Sequence, residues 1–200
     1  MKAERQLLIT GIILASGFST RMKREKLLLE VGGRPLIERV IRAAKSSRLD
    51  TVILVYRDNR VMTLGKGYGV EVVYNASAHE GQSASLKLGV ASSPEGTDGF
   101  MFILGDLPFL HSSTVDILLD AFKEDPRFIV APAYNGKRGN PVLFPADLKG
   151  ELLAIKGDKG GREILERMSH RVKLIPMGDD RAGMDIDTPQ EYELVRGDSA

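Results

Sequence analysis

The 200-residue chain contains no cysteine. Disulfides, thiolate metal sites and cysteine nucleophiles are therefore excluded. The absence suits a cytoplasmic protein. Net charge is almost absent too: 28 Lys and Arg stand against 27 Asp and Glu, a formal +1. No global field draws such a molecule to nucleic acid or to an anionic membrane, so neither is expected as a partner. Any anion must be held locally. No apolar stretch approaches the roughly 20 residues that span a bilayer. The early run over residues 7–15 is broken by Thr10 and Gly11 and flows straight into a polar loop. It reads as a buried strand rather than a signal peptide. The chain also lacks the Gly-Lys-Ser/Thr ending of a P-loop, the G-x-G-x-x-G fingerprint of dinucleotide binders and the H-E-x-x-H of zinc proteases. Its three histidines, His79, His111 and His170, are scattered. There is no repeat and no low-complexity linker.

What remains is ordinary globular composition, 42% hydrophobic and 28% charged. The length predicts one domain over residues 1–200, with a core that needs no staples. Apolar runs at 7–15, 51–56, 70–74, 99–104 and 128–132 read as strands. Between them, residues 34–44, 82–91 and 113–122 read as helices, with Pro35 in a first turn and Ser112 or Ser113 as a cap. After residue 128 the pattern loosens. Residues 139–144 look like a strand, 162–168 a helix, and 172–176 and 184–186 edge strands. A last helix over 188–195 opens with Thr188 as cap, Pro189 in the first turn and Glu191 at the capping-box position. Strands alternating with helices predict an α/β fold with a mostly parallel sheet covered on both faces. In such sheets ligands bind beyond the carboxyl ends of strands. Three polar, Gly-containing segments follow strands directly: residues 16–26, 75–85 and 105–108.

The first of these, within LASGFSTRMKREK (residues 14–26), has the parts a triphosphate needs. Gly17 lets backbone approach a ligand closely. Ser16, Ser19 and Thr20 add hydroxyls, and successive N–H groups in such a turn can cradle an anion. Arg21 offers a planar fork and Lys26 a compact charge. Asp106, just past an apolar strand, is a rigidly placed carboxylate of the kind Mg²⁺ takes, alongside phosphate oxygens and water. Asp185 and Asp187 flank Ile186, so in a strand both would face one side. Either could be a second metal ligand; Asp187 could equally help cap the helix that follows.

Taken in order, LASGFSTRM, KLLLEVGGRPLIERVI, NASAHEGQSASLKLG, GDLP, GNPVLF, GDKGGREIL and DIDTP resemble the blocks of the molybdenum cofactor nucleotidyltransferases. These are relatives of sugar-nucleotide and methylerythritol cytidylyltransferases. The resemblance spans nearly the whole chain. It implies a three-layer α/β/α, Rossmann-like nucleotide-diphospho-sugar transferase fold. It implies that Leu14, Ala15, Ser16 and Gly17 contact base and sugar, joined by Ser19, Asn75, Gly81, Ser83 and Ser85. It implies that Arg21 and Lys26 hold the triphosphate as catalytic groups, and that Asp106 binds Mg²⁺ and shares in catalysis; of the two candidates for a second metal ligand, Asp187 is preferred to Asp185. Two positions depart from the family pattern. Lys23 stands where glycine is usual, and Asn140 replaces the histidine of a Gly-His-Pro block.

The nucleotide is read from Ser16. The guanylyltransferases usually carry Leu-Ala-Gly-Gly here and the cytidylyltransferases Leu-Ala-Ala-Gly. A side chain at this turn narrows the base pocket and favours a pyrimidine. The expected reaction joins CTP to the molybdopterin cofactor with release of pyrophosphate, and a molybdenum hydroxylase would receive the product. The alternatives are GTP, a sugar phosphate or methylerythritol phosphate acceptor, or an accessory protein that binds without turnover. The missing G-x-G-x-x-G argues against a dinucleotide-dependent oxidoreductase.

Overall fold

The computed structural model describes residues 6–18, 25–157 and 160–198. Its spine is an eight-stranded mixed sheet. Strand β1 (Ile9–Ala15) lies in the middle, because its neighbours on both sides are parallel to it. On one side come β4 (Thr51–Tyr56) and β5 (Glu71–Tyr74). On the other comes β6 (Gly99–Leu104). Beyond β6 the sheet turns mixed. Strand β9 (Val142–Pro145) inserts antiparallel between β6 and β7 (Ile129–Tyr134). Strand β10 (Val172–Pro176) forms the edge, parallel to β7, and β8 (Lys137–Arg138) pairs with the end of β7. A separate small hairpin joins β2 (Glu30–Val31) and β3 (Arg34–Pro35).

Helices cover both faces, as two cores of opposite strand parity require. One core joins Ile9, Ile13, Leu54, Met101 and Ile103 of the sheet to α1 (Leu36–Lys45), α2 (Asn59–Gly67) and α4 (Ser112–Glu124). The other joins Ile12, Ile53, Phe100, Phe102 and Phe144 to α3 (Gln82–Ser92), α5 (Lys149–Ala154) and α6 (Arg162–Arg167). Helix α3 sits flush on β1. A Cβ at Gly89 would overlap the Ile12 side chain. Helix α7 (Pro189–Val195) closes the chain over a third, small cluster with Val31, Leu36, Phe109 and Ile186. The expected three-layer α/β/α architecture is the observed one. Among the described residues, no helix is long and apolar enough to cross a membrane.

Some expectations shift. The first strand begins at Ile9, and Pro35 stands at the cap of α1, because Arg34 and Pro35 are used by the hairpin. Residues 184–186 form no strand. They run as an unpaired segment with Ile186 buried, since β10 ends the sheet on that side. The cap of α4 is His111, not Ser112 or Ser113, and no side chain caps the helix. The capping box of α7 is as expected: Thr188 Oγ1 accepts from Glu191 N, and Glu191 Oε2 accepts from Thr188 N. Helices α2 and α5 were not expected from the sequence.

Candidate active site

Strand order reverses at β1. The chain runs out through β4 and β5, then returns to the far side of β1 as β6. The crevice beyond the carboxyl ends of β1 and β6 is therefore the topological switch point, where α/β sheets bind ligands. Leu14 and Leu104 are register partners there, and Gly105 N donates to Leu14 O at 3.1 Å. A cavity of about 520 Å³ opens on this crevice. It is lined by Ser16, Gly17 and Phe18 of the first loop, Lys26, Gly81 and Ser85 of the second segment, and Asp106, Asp185 and Asp187.

At its floor, one ammonium bridges two carboxylates. Lys26 Nζ donates to Asp106 Oδ2 at 2.6 Å and to Asp187 Oδ1 at 2.7 Å. Burial pulls the Lys26 pKa down, but the charge and hydrogen bonds of Asp106 and then Asp187 outweigh it, so the ammonium is held above its ordinary value. The same crowding works oppositely on Asp185. Burial, then the negative charges of Asp106 and Asp187, push its carboxyl above the ordinary range. Asp106 Oδ1 is buried with no hydrogen-bond partner among the described residues. A carboxylate oxygen kept dry and unbonded is costly unless a ligand uses it. Asp187 is not the helix cap; Thr188 is. Its backbone N–H donates to Glu191 Oε2 at 2.8 Å, which leaves its carboxylate to face Lys26.

The opposite wall is braced by a buried polar triad. Ser16 Oγ and Ser85 Oγ lie 2.5 Å apart, and Asn75 Nδ2 donates to both, at 3.0 and 3.1 Å. Asn75 Oδ1 in turn accepts from Ser77 N at 3.0 Å. The triad ties the turn after β1, the end of β5 and the first turn of α3 to one another. Gly81, at the cap of α3, has φ +96°, a conformation that L side chains rarely adopt. Phe18 stands exposed at the mouth, with the Arg57 guanidinium 4.5 Å from its ring centroid.

Of the residues singled out from sequence, Leu14, Ser16, Gly17, Lys26, Gly81, Ser85, Asp106 and Asp187 meet at this cavity. Ala15, Asn75 and Ser83 are buried and stand behind its lining. Ser19 and Arg21 lie outside the described residues, as do Thr20 and Lys23. His79 lines the cavity, whereas His111 and His170 do not. Among the described residues, no three His, Cys, Asp or Glu side chains are gathered into a ready-made metal cage.

A second cavity of about 490 Å³ adjoins the first, sharing Leu14, Gln82, Leu104 and Asp185. Phe102, Phe144 and Leu86 give it an apolar wall, and Arg138 and Arg162 give it positive charge. Sequence reasoning did not single out these arginines, whose only signal is their place beside the GNPVLF and GDKGGREIL blocks.

Comparison with known proteins follows the same outline. A family model described as the MobA-like NTP transferase domain matches residues 11–172. The purine catabolism protein PucB of Bacillus subtilis is 29% identical, over 94% of this chain and 96% of its own length. The nicotine blue oxidoreductase of Paenarthrobacter nicotinovorans is 28% identical over the same shares. The crystal structure of Rv0371c from Mycobacterium tuberculosis superposes with a TM-score of 0.81 at 25% identity, covering 96% of this chain and 99% of that one. A structure of Rv0371c in complex with manganese has a TM-score of 0.76 at 24% identity, covering 94% and 98%.

Proposed function

Starting from a chain that belongs to the MobA-like NTP transferase family, and so is a nucleotidyltransferase, we propose that it transfers CMP from CTP to the molybdopterin cofactor. The observation that carries the chemistry is the Lys26 ammonium bridging Asp106 and Asp187 at the β1/β6 switch point. Two carboxylates that share one cation form a seat for a second one. Mg²⁺ fits them, because it takes one or two carboxylates and completes its shell with phosphate oxygens and water. The orphaned Asp106 Oδ1 supplies a further oxygen. When bound, the metal supplies positive charge shared between carboxylates and phosphates.

The protein's own groups do the rest by positioning and charge. The Gly17 turn and Gly81 bring backbone close to the nucleotide. Lys26, held protonated, faces the triphosphate and offsets the charge that grows on the α-phosphate and the departing pyrophosphate. Arg21 adds a planar fork to the same phosphates. The acceptor sits in the adjoining cavity, with its phosphate toward Arg138 and Arg162 and its ring system on the Phe102 and Phe144 wall. An oxygen of the acceptor phosphate attacks the α-phosphorus, the bond to the bridging oxygen breaks, and pyrophosphate leaves with the electron pair. Ser16 supports CTP over GTP. The residue is 2% exposed and its side chain is fixed by Ser85 and Asn75, so it fills space that a glycine would leave to a purine. The recipient of the product is a molybdenum hydroxylase, and the reaction belongs to the cytoplasm.

The test incubates the protein with Mg²⁺, molybdenum cofactor and each nucleoside triphosphate in turn, and measures pyrophosphate. Release with CTP alone is expected. Release with GTP but not CTP would overturn the pyrimidine assignment, and silence with all four would favour binding without turnover.

A further inference from the structure

On the far side of the Asp106 turn lies a third cavity, of about 470 Å³, of different character. Arg34 of the β2–β3 hairpin and Arg39 and Arg42 of α1 line it, together with His111 and Ser112 at the start of α4. No carboxylate is among its lining residues. For a chain of net charge +1, three guanidiniums around one hollow are a marked local excess. Arg34 and Arg42 are exposed and make no side-chain hydrogen bond or ion pair among the described residues. Arg39 spends Nε on Pro108 O and Nη1 on Val31 O, both at 2.8 Å, while its buried Nη2 has no partner among the described residues. Burial and then the charge of Arg34 lower its pKa, against the opposing pull of Asp198. Asp198 acts on Arg39 from outside the lining, but its carboxylate is paired with Arg181.

The start of α4 adds to this field. The helix has 13 residues, and His111 caps it with no side-chain hydrogen bond. Ser112, its first residue, lines the hollow, which sets the positive end of the helix dipole beside it. The unspent guanidiniums of Arg34 and Arg42 and the uncapped start of α4 border one space; the carboxylate that comes nearest its lining is that of Asp179, 3.9 Å from His111 Nε2.

We propose that this cavity binds a small multivalent oxyanion of the phosphate type, at a site separate from the nucleotide cavity. The anion is held by Arg34 and Arg42 through charge-assisted hydrogen bonds and by the first amides of α4. The proposal stands apart from the transfer reaction proposed above.

Two-dimensional NMR of the ¹⁵N-labelled full chain tests it. The protein is titrated with inorganic pyrophosphate and, separately, with orthophosphate. The amides of Ser112 and Ser113 and the Arg39 Nε–H report this cavity; Gly17 and Gly81 report the nucleotide cavity independently. Saturable shifts at the three reporters are expected with pyrophosphate, and a matching response to orthophosphate would mean that one phosphoryl group suffices. In an Arg34→Ala/Arg42→Ala double variant the apparent affinity falls at least about tenfold, while shifts at Gly17 and Gly81 persist. Both side chains are exposed, so the variant's spectrum elsewhere stays that of the folded protein; Arg42→Glu gives a second variant with the same expected loss. Absence of saturable shifts at Ser112 and Ser113 with both anions, or their survival unchanged in these variants, would overturn the site.

Discussion

Lys26 does with one ammonium what two carboxylates would otherwise make costly. Asp106 and Asp187 face a common space, and like charges in a half-buried site repel. Removing the cation leaves them uncompensated. Lys26→Met is therefore expected to lower turnover roughly 10²- to 10³-fold, as loss of one preorganised electrostatic contact does elsewhere, with folding checked by circular dichroism. Because the ammonium is held above its ordinary pKa, the alkaline limb of the pH–rate profile should show no lysine titration below the ordinary lysine range. Asp106→Ala should abolish turnover and leave the fold intact, and wild-type turnover in that variant would rule out its metal role. That these two residues share one crevice was foreshadowed in the sequence, because each lies in a polar segment that follows an apolar strand, after Ala15 and after Leu104. The contacts of Ser16, Asn75 and Ser85 were not. Their roles were assigned toward a nucleotide, but their side chains are 59, 69 and 10 positions apart in the pairs they form. Only the fold brings them together.

At the scale of elements, α7 is the clearest case of local grammar becoming structure. Thr188, Pro189 and Glu191 form the capping box the sequence spells, and the box also bonds the Asp187 backbone N–H. Thr188→Ala should cost about 1 kcal/mol in urea unfolding and raise the Mg²⁺ concentration needed for half-maximal turnover. The backbone N–H groups of Asp187 and Thr188 hold the Glu191 carboxyl below its ordinary pKa. A depressed acid contributes stability that is present above its unfolded pKa and lost as pH falls through its folded value. Acid should therefore loosen α7, and Glu191→Gln should flatten that part of the stability–pH curve. Other elements were not readable. Helix α2 contains Gly65 and Gly67 and forms because Gly65 lets it close on Leu54 and Val72, a tertiary reason. Residues 184–186 alternate like a strand, yet the sheet offers them no neighbour.

For the whole molecule, the alternation of apolar runs and helices was enough to predict a covered, mostly parallel sheet. It could not show β9 entering antiparallel between β6 and β7, because strand direction depends on connections that leave no periodic trace. The two cores on either face are continuous with the walls of the site, so ligand and fold stability are linked. CTP with Mg²⁺ at about 100 times its Kd should add about 2.7 kcal/mol to the folded state, read as a rise in Tm. GTP at the same concentration should give a smaller rise.

The triad of Ser16, Asn75 and Ser85 carries an evolutionary consequence. If Ser16 sets base preference as proposed, a change at this position also disturbs a buried joint. Glycine there would widen the pocket but remove the partner of one Asn75 N–H and one of the two bonds of the Ser85 hydroxyl, leaving the Asn75 Nδ2–Ser85 Oγ bond, at a cost of about 1–3 kcal/mol. Drift between pyrimidine and purine use is then eased by paired substitutions that restore the lost bonds. On the reading proposed above, nucleotide preference is buffered by epistasis, because the residue proposed to shape the pocket is also a buried structural joint.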